Sequence, residues 1–191
     1  MISTYFHPEE LTYHGPELRP HFILSKFKIE GNALTAFIGP CHVKTEHLVD
    51  WEDRLMNDFI KAKSMIHFLG EFFDVSLKEG VWIQRLIVSE IHARFAKTGM
   101  NIRREGDDLY VQLGDRLDRK MSVSIVTASP VSVLLHLGID IDPEGAPNQA
   151  IGLNELKIEP TAFVKEILDW FKSEYLSVDR ARTKVRPVMG A

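Results

Sequence analysis

Residues 80–98 read GVWIQRLIVSEIHARFAKT, and residues 119–141 read RKMSVSIVTASPVSVLLHLGIDI. In the first stretch Trp82, Ile83, Leu86, Ile87, Ile91 and Phe95 recur at i, i+3 and i+4. That spacing predicts a helix opening at Gly80 and stopping at Thr98-Gly99. The second stretch holds two apolar, β-branched runs, Ser122 to Thr127 and Val133 to Ile139, parted by Ser129-Pro130. Between the stretches, Asn101 to Arg104 and Leu109 to Gln112 read as two more strands around a Gly106-Asp107 turn. Strands in a run, with helices segregated from them, predict an α+β fold: a mixed, largely antiparallel sheet with helices packed on it.

Upstream, residues 22–29 (FILSKFKI) and Ala33 to Ile38 read as a hairpin turning at Gly31-Asn32. Asp50 to Lys63 reads as a helix, with Leu55, Met56, Phe59 and Ile60 on one face. Met65 to Phe73 reads as a short buried strand. Downstream, Pro160 suits the first turn of a final helix running to about Tyr175, with Phe163, Ile167, Trp170 and Phe171 on its buried stripe. These elements make one α+β domain over residues 1–178. A basic tail over 179–191 carries Arg180, Arg182, Lys184 and Arg186.

The bulk numbers narrow the function classes. In a chain of 191 residues, 45% are hydrophobic and 26% charged, an ordinary globular balance. Cys41 is the one cysteine, so a reducing compartment, the cytoplasm, is expected. Met1 to Phe6 lacks the pattern of a signal peptide. No apolar run nears the roughly 18 residues of a membrane span. A formal charge of −4 argues against nucleic acid as a partner. The expected partner is a small-molecule ligand, with a homo-oligomer left open.

Several groups can carry chemistry. Arg103-Arg104-Glu105-Gly106-Asp107-Asp108 is a charge-dense turn, and Lys120 opens the strand after it. A fixed ammonium stabilises charge developing on carboxylate or phosphate oxygens. Arg85, on the helix, suits a carboxylate or phosphate clamp, or an ion pair with nearby acids. Ser122, Ser124, Thr127 and Ser129 alternate along a strand and its end and suit a polar pocket. His67 and Glu71 share a face in either a strand or a helix. Each is placed to satisfy the other in the core, or to join Asp50 as a metal ligand. Asp50, Glu52 and Asp53 also suit the positive end of a helix. No Walker loop, G-x-G-x-x-G or G-x-S-x-G motif appears, so no cofactor identifies itself.

The segment from about Gly80 to Ile141 resembles the core of biotin and lipoate protein ligases. In that family an acidic turn joins two strands, a lysine begins the next strand, and the last ends in a Gly-Ile-Asn type motif. Asp108, Lys120 and Gly138 to Asp140 hold the matching places. The resemblance implies that Lys120 contacts an acyl carboxylate and an adenylate phosphate, with Asp107 or Asp108 positioning it or a metal. On that reading the reaction is acyl transfer or ligation, and Arg85, His67, Ser124 and Gly138 are expected to border the ligand. The alternatives are a non-catalytic ligand-binding or scaffold protein, and a metal-dependent hydrolase using Asp50, His67 and Glu71. The ligases carry a basic, glycine-rich phosphate loop, which the stretch from Ser64 to Gly80 lacks. Octanoyl transferases of this fold use a cysteine, but Cys41 lies upstream of the matching place. Over most of its length the chain also resembles domain-of-unknown-function family 366. Gly39-Pro40-Cys41-His42-Val43, Val49-Asp50-Trp51-Glu52-Asp53, Met65-Ile66-His67-Phe68 and His136-Leu137-Gly138 carry that likeness.

Overall fold

A computed structural model describes residues 1–114, 118–147 and 149–188. Five strands form the main sheet: β1 (Ile2–Phe6), β2 (Asn32–Val43), β3 (Ile60–Phe72), β7 (Ser122–Ala128) and β8 (Val133–Asp142). Their order is β1-β2-β3-β8-β7. Only the β1–β2 pair is parallel. A second sheet joins β4 (Ile102–Glu105), β5 (Asp108–Val111) and β6 (Arg119–Lys120). The helices are α1 (Phe22–Phe27), α2 (Trp51–Leu55), α3 (Leu77–Lys97) and α4 (Pro160–Thr183). This is the α+β, largely antiparallel architecture expected.

Side chains alternate across a strand, so each of the central strands divides its residues between two faces. One face carries Leu34, Ala36, Ile66, Phe68, Leu135, Leu137 and Ile139. It packs on Ile87, Ile91 and Phe95 of α3 and on Phe163, Val164 and Phe171 of α4. The other face carries Phe37, Cys41, Met65 and Leu69, covered by Tyr13 and Ile23 of the N-terminal segment. Residues Val133 to Ile141 of β8 are all buried, which explains their nearly continuous apolar run.

The capping box between Ser76 and Glu79 starts α3 three residues before the expected Gly80. Gly80 itself packs tightly on Val133 and Val126. The last helix starts at Pro160 as expected and runs on to Thr183, taking Arg180 and Arg182 into its final turn. Asn32 ties β2 to this helix and to β3. Its amide donates to Tyr175 Oη at 2.9 Å and accepts from the Phe73 N–H at 2.7 Å.

Two local expectations are corrected. Residues 22–29 are not a strand. Phe22–Phe27 is a short helix between His21 and Lys28, both with left-handed φ near +60°. Its apolar residues cover the second face of the sheet, and β2 takes its partners from β1 and β3 instead. The helix over 50–63 shrinks to Trp51–Leu55, and Ile60 already begins β3. The supposed buried stripe faces solvent: Leu55 is 76% and Met56 73% exposed.

A register shift between Gly39 and Cys41 bends β2 where the N-terminal segment crosses it. Leu11 N–H donates to the Ile38 carbonyl at 3.2 Å, and a Cβ on Gly39 would collide with the Leu11 backbone. Gly39→Ala should therefore lower stability by about 1–3 kcal/mol, the usual cost of overpacking. Urea unfolding reads this directly, and an unchanged midpoint would mean that the segment does not press on β2.

Candidate functional site

The two-residue turn at Gly106-Asp107 joins β4 to β5, with Gly106 in the left-handed region at φ +62°. Asp107 clamps this turn to its surroundings. Its Oδ2 accepts from Gln84 Nε2 at 3.0 Å and from Ser124 Oγ at 2.8 Å. Its Oδ1 pairs with Arg85 Nη2 at 3.2 Å. With Asp107 held, Asp108 is free to grip Lys120, whose Nζ lies 2.9 Å from Asp108 Oδ1. Tyr110 Oη donates to the other Asp108 oxygen at 3.3 Å. Lys120 is anchored through its backbone as well, by a parallel bridge to Ala150.

Lys120, Asp107 and Asp108 border a cavity of about 280 Å³. The β2–β3 connection supplies another wall with Asp50, Asp53 and Asp58, and the sheet supplies Met65, Val123, His136 and Asp140. Among the described residues, six aspartates line the cavity against Lys61 and Lys120, so its charge is negative. Burial and the neighbouring Asp50 and Asp58 raise the carboxyl of Asp53 above its ordinary range, while Lys120 opposes them.

The floor is built from alternate residues of β8. His136, Gly138 and Asp140 point to the same face. His136 is 3% exposed, and its ring stacks on Tyr13 with centroids 3.9 Å apart. A chain of hydrogen bonds fixes its tautomer. His67 Nε2 lies 3.2 Å from the Gly39 carbonyl, so it carries the proton. His67 Nδ1 is then an acceptor, and His136 Nε2, at 3.1 Å, donates to it. That leaves His136 Nδ1 an acceptor. Burial holds His67 down to about 4, and burial with the adjacent His67 holds His136 well below the ordinary histidine range. Both rings are neutral at pH 7. Asp140 is 7% exposed, and among the described residues its carboxylate makes no hydrogen bond. Burial pushes it up to about 7, against the pull of Lys120.

Among the expected site residues, Lys120, Asp107, Asp108, Ser124 and Asp50 come together at the cavity. The Ser124 hydroxyl is engaged, accepting from Gln84 Nε2 at 2.8 Å while donating to Asp107. Arg85 stands behind Asp107 and holds it. His67 lies on the neighbouring strand β3, opposite Gly138, and neither of the two lines the cavity. A Cβ on Gly138 would meet the Met65 methyl at 2.7 Å. Asp50 caps α2, accepting from the Glu52 and Asp53 N–H groups. Glu71 is elsewhere, accepting from the His21 N–H at 2.9 Å and from Ser132 Oγ at 2.8 Å. His67 and Glu71 therefore do not pair, since four residues of strand separate them by roughly 13 Å. Asp50, His67 and Glu71 do not converge, and among the described residues no cluster of three or more such side chains is placed to hold a metal ion. Tyr13 and His136 were not among the expected site residues; Asp53 was expected only beside Asp50, and Asp140 only as the end of the closing motif. The signal for Asp140 was present: it stands where the ligase motif has asparagine, a carboxylate in place of an amide. Cys41 is buried, and desolvation raises its thiol to about 12, so it is no nucleophile.

The family described as Domain of unknown function (DUF366) matches residues 2–186. An uncharacterized protein of Methanocaldococcus jannaschii is 30% identical, over 98% of this chain and 86% of that one. A solved protein of unknown function from Pyrococcus horikoshi is 33% identical, with a TM-score of 0.91, over 99% of this chain and all of the other. The biotin protein ligase of Aquifex aeolicus, solved with biotin and ATP, is 13% identical with a TM-score of 0.53, over 90% of this chain and 68% of the ligase. The fold is that of the biotin and lipoate protein ligases. No helix among the described residues is long and apolar enough to cross a membrane.

An acid raised in the folded state binds its proton more tightly there than when unfolded. Asp140 thus favours the folded state fully below its unfolded value of 3.8, and that advantage is lost as pH rises to about 7. The two buried histidines act oppositely, weakening the fold as pH falls below about 6.5. The comparison with Asp140→Asn isolates the aspartate. The variant should melt higher than the parent at pH 8, and the gap should close toward pH 4. A gap independent of pH would contradict the burial of an unpaired carboxylate.

Proposed function

This chain belongs to the DUF366 family, and we propose that its cavity binds a small carboxylate-bearing molecule against Lys120 and serves acyl transfer or ligation. The observation that carries this reading is the Lys120 ammonium, held 2.9 Å from Asp108 at the wall of a cavity on a ligase-like fold. Asp108 orients the ammonium, and Asp107, held by Gln84, Ser124 and Arg85, keeps the turn rigid. A cation fixed in this way is already in place when negative charge develops on a reacting carboxyl oxygen, so little reorganisation is needed.

The Aquifex ligase was solved with biotin and ATP. In this chain, a bare triphosphate would face Asp50, Asp53 and Asp58, whose charges repel it. A carboxylate reaching Lys120 is the better electrostatic fit. The buried, protonated Cys41 argues against an acyl-enzyme on cysteine. It also gives weight to a second reading, a module that binds the same ligand without turning it over.

Thermal shift tests the site, using ATP, AMP, acyl-CoA, biotinyl- and lipoyl-adenylate and a series of free carboxylates. A ligand at about a hundred times its Kd adds roughly 2.7 kcal/mol. At least one carboxyl- or acyl-bearing member should raise the melting temperature, and Lys120→Ala should abolish that rise. The unliganded variant should itself lose less than about 1 kcal/mol, because the ion pair is partly solvated. If no member shifts the protein, or the shift survives in the variant, the reading fails. Turnover by the bound complex separates the enzyme from the binding module.

A further inference from the structure

The cavity's six aspartates are not equivalent. Asp107 is used up on Gln84, Ser124 and Arg85. Asp108 is paired with Lys120, and Asp50 caps α2. Asp53 and Asp58 sit at the more open β2–β3 wall. Asp140 alone is more than nine-tenths buried, lines the cavity, and has no hydrogen-bond partner among the described residues. His136 lies four residues away along β8, roughly 13 Å of strand, with Gly138 and the Met65 methyl between, so it does not share a ligand atom with Asp140. The floor therefore offers one unpartnered acceptor, Asp140, while Lys120 offers a donor at the wall.

A buried carboxylate left without a partner is costly, and a bound cation removes that cost. An alkali ion would leave the Lys120 end of the cavity unused. An ammonium suits the floor better, because its N–H bonds donate to the unpartnered carboxylate while the rest of the molecule extends toward Lys120. We propose that the ligand is a small zwitterion of the amino-acid class, with its ammonium on Asp140 and its carboxylate toward Lys120. This rests on the Lys120 reading above for the carboxylate half. The ammonium half stands on Asp140.

Calorimetric titration distinguishes the halves. The probes are glycine, β-alanine, 4-aminobutyrate and 6-aminohexanoate, each beside its deaminated acid and its decarboxylated amine. The proteins are the parent, Asp140→Asn and Lys120→Ala. The best amino acid should bind the parent at least about tenfold more tightly than the matching acid, a difference of about 1.4 kcal/mol. In Asp140→Asn that ratio should fall to about one, with the acid still bound. A ratio near one in the parent, or an undiminished ratio in Asp140→Asn, overturns the ammonium site and leaves the Lys120 reading intact. If the amine binds as well as the amino acid and Lys120→Ala changes neither, the Lys120 reading and the zwitterion fall together, leaving only an amine site. No binding by any probe at about 10 mM, far weaker than an ordinary small-molecule site, overturns the zwitterion. The acyl panel, scored separately in the thermal-shift experiment, then decides the Lys120 reading alone.

Discussion

The alternation of side chains along β8 is the constraint on which the rest of the molecule depends. Leu135, Leu137, Ile139 and Ile141 face the helices and build the main core. His136, Gly138 and Asp140 face the other way, and His136 and Asp140 line the cavity. A one-residue slip in register would exchange these sets, placing a carboxylate and an imidazole against Phe163 and Ile91. The burial that fixes the strand thus also fixes the site. The energy that holds Asp140 in its unpaired state comes from the apolar face of the same strand.

The second structural device is the charged turn. Its tip contains one carboxylate that is structural and one that is not. Asp107 accepts from α3 and β7 and so reports the positions of both to the turn. Asp108, its neighbour, points to Lys120. Arg85 therefore acts at one remove. Losing its guanidinium would release one oxygen of Asp107 before it affected the ammonium in the cavity.

Much of the fold could be read from the chain because its longest elements carry unambiguous periods. The stripe from Trp82 to Phe95 repeats too many times to be anything but a helix, and the runs around Ile125 and Leu135 are bounded by turn residues. The failures lie where a short apolar run fits two structures. FILSKFKI is dense enough for a strand, but it closes into a helical turn between two left-handed residues. Leu55 and Met56 have the spacing of a buried stripe, yet they lie on a short helix with nothing over them. β1 was missed because its parallel partner lies about a connection's length away in sequence, beyond the reach of a local pattern. At the cavity, the charge-dense turn together with the ligase resemblance pointed to Asp107, Asp108 and Lys120. Asp140 entered only as the end of a motif and His136 not at all, because alternation sorts the residues of β8 into two faces without saying which face is left open.

The central claim is that β8 holds a carboxylate that is buried, unpaired and open to the cavity. A carboxyl-carbon NMR titration of the folded protein, with the Asp140 signal assigned by its loss in Asp140→Asn, measures this directly. A midpoint near 7 is expected. A midpoint near the ordinary aspartate value of about 3.9 would mean that Asp140 is solvated or hydrogen-bonded, and the floor as described here would be wrong.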